Sequence, residues 1–196
     1  SVLFTTAGMQ QLKKYYLDEI SPYGNKVASI QKCLRTSDID QIGDDSHLIF
    51  FEMLGNFSFK FPVGENSYFK EEAIKLGHDL IVDEFKIPLE RIKVSVFKGS
   101  SENDIPRDGE SLEIWKALGL GQDKIFFGDI NDNFWGPTGF SGPCGPTTEI
   151  YIDGIEIWNM VFNEYFCDSS RENLLAGQAN LTPLKSKGVD TGMGLE

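Results

Sequence analysis

Cysteine is scarce in these 196 residues: Cys33, Cys144 and Cys167 are odd in number and far apart. They form no zinc-ligand spacing and suit a reducing, cytoplasmic compartment. Histidine is scarcer still. His47 and His78 are the two imidazoles, which disfavours a Ser-His-Asp hydrolase. No P-loop string occurs, and no Gly-x-Gly-x-x-Gly follows a strand, so the two familiar nucleotide cradles are missing. No run approaches the roughly 18–20 apolar residues of a membrane helix, and no basic-then-apolar leader opens the chain. Positive charge is short as well: the net charge is −12, and the densest basic cluster is Lys13-Lys14. Phosphate neutralisation supplies most nucleic-acid affinity, so this acidic stretch is not expected to grip RNA by itself.

What remains is an ordinary globular composition, 40% hydrophobic and 24% charged, with neither repeats nor low-complexity tracts. Residues 9–20 place Met9, Leu12, Tyr16 and Ile20 on one helical face, and Ser21–Asn25 is a stop and turn. Residues 27–35 alternate as a strand, with Val27, Ser29, Gln31, Cys33 and Arg35 on one face. After a polar loop over 36–46, residues 47–59 form a second strand, with Phe50 and Phe57 expected in the core. The pair makes a long hairpin. Residues 69–86 predict a helix with an apolar stripe at Phe69, Ala73, Leu76, Gly77, Leu80, Ile81 and Phe85, and with His78 on the surface. Residues 92–97 and 124–127 read as strands. Residues 110–118 read as a short helix stopped at Gly119, and 131–146 as loop. Strands over 147–152 and 155–166 meet at Asp153-Gly154, a strong hairpin signal. Hairpins and meanders with interspersed helices predict an α+β fold. Its antiparallel β-sheet would be flanked by helices on one face, leaving the other face free for ligands.

Seven strings then stand out: Leu3–Met9 (LFTTAGM), Gln31–Arg35 (QKCLR), Phe50–Phe59 (FFEMLGNFSF), Asp132–Trp135 (DNFW), Ser141–Pro146 (SGPCGP), Glu156–Asn159 (EIWN) and Val189–Glu196 (VDTGMGLE). Together and in order they resemble the alanyl-tRNA synthetases, class II aminoacyl-tRNA synthetases, across essentially the whole chain. The resemblance implies a class II catalytic domain over 1–196 that activates alanine with ATP and, in a full-length parent, transfers it to tRNA(Ala).

The resemblance also assigns residues. Arg35 matches the motif 2 arginine on the α-phosphate and is the catalytic candidate; its forked guanidinium offers what lysine could not. ATP binding falls to Arg35, His47, Phe51, Trp135, Ile157, Trp158, Asn159 and Gly194, with Phe51 in the adenine-stacking position. Alanine binding falls to Trp135, Asn159, Val161, Asp190 and Gly192, with Asp190 as the carboxylate for the substrate ammonium. Glu149 and Glu156 are the candidate ligands for the Mg2+ that would bridge phosphate oxygens. Two departures from the family pattern occur: His47 is followed by Leu48 and Ile49 where paired histidines are usual, and the 36–46 loop is shorter and more acidic.

Both ends read as cut through structure, without motif 1, the tRNA-recognition, editing and C-terminal domains, or the arginine that follows Gly-Leu-Glu in motif 3. A monomer that binds ATP and alanine with little turnover is the resulting expectation. The alternative is a synthetase paralogue that binds an amino acid or adenylate, or that charges a non-tRNA carrier.

Overall fold

The computed structural model describes residues 4–36, 39–44 and 47–196. Parts of the first string and of the 36–46 loop (residues 1–3, 37–38 and 45–46) lie outside the described residues. Eight strands form one sheet: β1 (Lys26–Leu34), β2 (Phe50–Phe61), β3 (Ile92–Phe97), β4 (Ile125–Gly128), β5 (Phe134–Trp135), β6 (Gly142–Ile152), β7 (Ile155–Cys167) and β8 (Leu181–Gly194). Their order is β1-β2-β8-β7-β6-β3-β4, with β5 paired on β6. Pairing is antiparallel except for β3 and β4. That parallel pair requires a crossover, which α2 (Gly109–Ala117) supplies.

The sheet's two faces differ. Against one lie α1 (Lys70–His78) and α2, enclosing a core in which Ile74, Ile81, Leu112 and Trp115 meet Val94, Val96, Ile150, Trp158, Met160 and Phe162. Each such large side chain stabilises by about 1.5–3 kcal/mol through burial. Trp115 can be fully buried because its Nε1 donates to Thr148 Oγ1 (2.8 Å). On the opposite face, one end of the sheet is covered by two 3-10 turns, Gly8–Gln11 and Lys13–Tyr16. Met9, Leu12, Tyr15 and Tyr16 pack there on Phe57 and Phe59. Lys13 belongs to this lid and to no basic patch, since its Nζ donates to the carbonyls of Thr138 and Ser141.

Several expectations are corrected here. The 9–20 segment winds as 3-10 turns, so its period does not carry Ile20 inward, and that residue is 86% exposed. The 69–86 helix changes pitch to a π-helix at Asp79–Glu84. Phe69, Ala73, Gly77 and Ile81, four apart, stay buried, while Leu76 and Phe85 turn to solvent. His78 is not a surface residue, because its side chain is 13% exposed and its Nε2 is buried without a partner. Phe50 is exposed, as alternation around buried Phe57 demands. The predicted 131–146 loop contains β5 and the start of β6. The longest strand, β8, is absent from the sequence reading.

The Asp153-Gly154 turn has positive φ at both residues (52° and 92°), as a two-residue hairpin of this kind needs. A different constraint acts at Gly145, where the β6–β7 register shifts. A Cβ there would run into the backbone oxygen of Phe162, which cannot move aside without opening the ladder. Gly145→Ala is therefore expected to cost about 3 kcal/mol or more. In a thermal melt followed by circular dichroism, a change of less than 2 °C would contradict this.

Candidate active site

A cavity of about 720 Å³ opens on the helix-free face, over β2, β8 and β7. Its floor follows from register. Asn159 of β7 pairs with Gly192 of β8, and Val161 with Asp190. Met53 pairs with Gly194 and Phe57 with Asp190 across β2 and β8. Gly192 and Gly194 leave β8 without side chains beneath the cavity. At Gly192 a Cβ would stand 2.9 Å from Met53 Sδ, so even one methyl group would crowd the floor.

One end combines a buried carboxyl with apolar side chains. Asp190 is 6% exposed, flanked on its row by Phe57 and Val161, and accepts no hydrogen bond among the described residues. Desolvation raises its carboxyl to about 7, which marks a carboxylate lacking its counter-charge. Ala7, Trp135 and Val161 line the same cavity, and Trp135 packs on the cluster containing Ala7 and Phe57. Asn159 stands one row along, with Nδ2 donating to Glu149 Oε1 (3.3 Å) and Oδ1 buried without a partner.

The other end carries Arg35 and His47 beside the carboxyl groups of Asp44, Glu156 and Glu196. Arg35 follows β1 and is held at the cavity by its Nε, which donates to Thr6 O (2.9 Å), and by its own backbone N–H to Ile49 O (2.8 Å). Its guanidinium carbon lies 5.1 Å from the Phe51 ring centroid, a cation–π contact. Among the described residues its terminal nitrogens make no hydrogen bond. His47 also lines the cavity, with its Nδ1 on Asp44 Oδ2 (2.5 Å). Glu156 lines the same end. Although the residue as a whole is exposed, its carboxyl is raised to about 7 by desolvation and then by the Glu149 charge, against the opposing pull of Arg35 and His47. From Asp190 to Gly194 the strand advances roughly 13 Å along the cavity floor.

Of the sequence-predicted residues, Arg35, His47, Phe51, Trp135, Glu156, Ile157, Asn159, Val161, Asp190, Gly192 and Gly194 all line this one cavity. Two do not. Trp158 alternates to the other face of β7 and packs in the helix-side core, so its side chain is a wall of the fold and not of the cavity. Glu149 lies beneath the cavity, with its oxygens taken by Ser95, Tyr151 and Asn159. Ala7, Asp44, Leu48, Met53, Ile155, Met193 and Glu196 also line the cavity and were not expected there. Ala7, Met53, Met193 and Glu196 lie inside strings already singled out, and strand alternation from Phe51 reaches Met53; Asp44, Leu48 and Ile155 carried no such signal.

The pattern of the tRNA synthetases class II (A) matches residues 1–196. An alanine–tRNA ligase of Treponema denticola is 44% identical over 100% of this chain and 33% of its own length. The chain belongs to the class II (A) tRNA synthetases. An alanine–tRNA ligase of Rubrobacter xylanophilus is 40% identical, again over 100% of this chain but over 23% of its own length. The chain thus spans about a third or less of the curated relatives it matches. Among solved structures, the apo histidyl-tRNA synthetase of S. aureus gives a TM-score of 0.47 at 8% identity, covering 97% of this chain and 55% of that one.

Proposed function

We propose that this cavity activates alanine: it binds alanine and ATP, forms alanyl-adenylate, and serves a longer alanine–tRNA ligase that passes the alanyl group to tRNA(Ala). The observation carrying this reading is the placing of Arg35 and Asp190 toward opposite ends of one glycine-floored cavity. The reaction joins an alanine carboxylate oxygen to the α-phosphorus of ATP, and pyrophosphate leaves. Negative charge builds on the α-phosphate, where a preorganised cation lowers the barrier most. Arg35 is that cation, and its contact with Thr6 O fixes it before ligand arrives. Phe51 and the bare backbone at Gly194 provide the nucleotide's resting surface. Asp190 takes the ammonium, which relieves the burial that holds its carboxyl near 7.

Ala7, Trp135 and Val161 form the wall that meets the amino acid's side chain. Such a wall rejects larger residues sterically but discriminates weakly against smaller ones. Mg2+ bound with ATP would supply charge neutralisation at the phosphates. Glu156 is the carboxylate suited to hold it, since its crowding with Glu149 is what a divalent cation relieves; Glu149 itself is saturated by three donors. With a net charge of −12, contacts to tRNA fall mainly to other parts of the protein.

Calorimetric titration of the chain tests this reading. A non-hydrolysable alanyl-adenylate mimic should bind at one site and compete with both ATP and alanine. Binding of ATP that is indifferent to the mimic would refute it. An equal affinity for mimics carrying alanyl and leucyl groups would remove the alanine assignment.

A further inference from the structure

Glu149 and Asn133 both sit outside the cavity lining, yet they belong to one buried polar chain that ends at Asn159. Register lines up Ser95 of β3, Glu149 of β6, Asn159 of β7 and Gly192 of β8 in a single row across the sheet. Asn133 is fully buried, and its Nδ2 donates to Ser95 Oγ (2.6 Å) and to Thr147 Oγ1 (3.1 Å). Because Ser95 Oγ already accepts from Asn133, its own proton goes to Glu149 Oε2 (2.9 Å). Tyr151 donates to the same Oε2 (2.6 Å). The remaining oxygen, Oε1, accepts from Asn159 Nδ2 (3.3 Å).

An ionised carboxylate has only acceptors, whereas an amide has a donor end and an acceptor end. Glu149 therefore selects which end of Asn159 turns toward it, and the answer is the nitrogen. Among the described residues the acceptor Oδ1 is left buried and unpaired, in a residue that lines the cavity. A buried polar atom without a partner is costly unless a ligand completes it. If the amide were reversed, an NH2 group would meet the ligand, and it would repel an ammonium.

We propose that Glu149 is a positioning residue: through the Asn133–Ser95–Glu149 chain it holds Asn159 with Oδ1 presented as an acceptor for the ammonium of the bound amino acid, alongside Asp190. This rests on the alanine-activation reading above. It gives Glu149 a role distinct from metal binding, and it connects the Asp132–Trp135 string to recognition of the amino group.

The test compares two sulfamoyl-adenosine mimics by calorimetry, one carrying alanyl and the other the des-amino propanoyl group. The unaltered chain should prefer the alanyl compound by a hundredfold or more. In Glu149→Gln, the new amide donates to Asn159 and reverses it. The preference should fall at least tenfold, while propanoyl affinity stays within about twofold. The paired swap Glu149→Gln with Asn159→Asp retains the hydrogen bond in the opposite sense and returns an oxygen to the cavity, so the preference should recover. Equal weakening of both mimics in Glu149→Gln, or no recovery in the swap, would overturn the proposal and leave alanine activation standing. Failure of the unaltered chain to bind either mimic would overturn both. If Glu149→Gln does not fold, nuclear Overhauser contacts in the unaltered chain decide. The Asn159 amide protons should stay close to the Glu149 methylene protons with the alanyl mimic bound, and loss of those contacts would overturn the assignment.

Discussion

Asp190→Asn is expected to stabilise the ligand-free chain at pH 8 while destroying its affinity for an alanyl-adenylate mimic. The native carboxyl titrates near 7, raised from 3.8 by burial, so the native state binds the proton more tightly than the unfolded chain does. Stability contributed by this group is therefore intact below about pH 4, declines as pH rises from 4 to 7, and stays reduced above 7. At about 1.4 kcal/mol per pH unit, the penalty is at most roughly 4 kcal/mol. Removing it should raise the melting temperature at pH 8 by several degrees and leave it unchanged at pH 4. Ligand binding reverses the sign. An ammonium partner requires the ionised form, so mimic affinity in the unaltered chain should fall about tenfold per unit as pH drops below 7. In Asp190→Asn it should be about 10²–10³-fold weaker and flat with pH, since a desolvated charge pair has lost one member. A variant that neither stabilises at pH 8 nor weakens binding would show that Asp190 is an ordinary core carboxyl.

The second large effect is at Arg35. In the longer ligase, Arg35→Ala should lower alanine-dependent ATP–pyrophosphate exchange by about 10²–10³-fold, and it should weaken ATP about 10–100-fold, as loss of charge-assisted hydrogen bonds predicts. Stability should change by less than about 1 kcal/mol, because the residue is half-buried and holds one backbone carbonyl and one ring face. Arg35→Lys should recover little. A lysine cannot bond Thr6 O, cover Phe51 and reach phosphate with a fork at the same time. Exchange in the lysine variant within threefold of the unaltered chain would show that Arg35 acts as a point charge only.

Much of this arrangement is visible in the sequence because alternation is a strict geometric rule. The β1–β2 hairpin, the Asp153-Gly154 turn and the placing of Ile157, Asn159 and Val161 on one face all follow from period two. The same rule excludes Trp158 from the cavity. Assigning that residue by its string as a whole overlooked the fact that its neighbours on both sides already pointed inward. Strand β8 was illegible for a different reason. Residues 181–194 contain glycine at 188, 192 and 194 and a proline at 183, a composition that reads as loop. At two of these glycines the chain packs too closely for a side chain, Tyr16 against Gly188 and Met53 against Gly192, contacts from distant parts of the chain. The pitch change after His78 was equally hidden, since the residues spaced by four keep their burial through it while the stripe between them rotates outward. Glu149 looked like a metal ligand because a lone carboxylate on a strand has no visible partners until Ser95, Tyr151 and Asn159 are folded around it.

The most direct measurement is a crystal structure of the chain with the alanyl-sulfamoyl-adenosine mimic. The account predicts the ammonium within hydrogen-bonding distance of Asp190 and of Asn159 Oδ1, the methyl group against Ala7, Trp135 and Val161, and the sulfamoyl group at the Arg35 fork. A mimic lying with its ammonium beside Glu156 and its adenine beside Asp190, or bound outside this cavity, would contradict it.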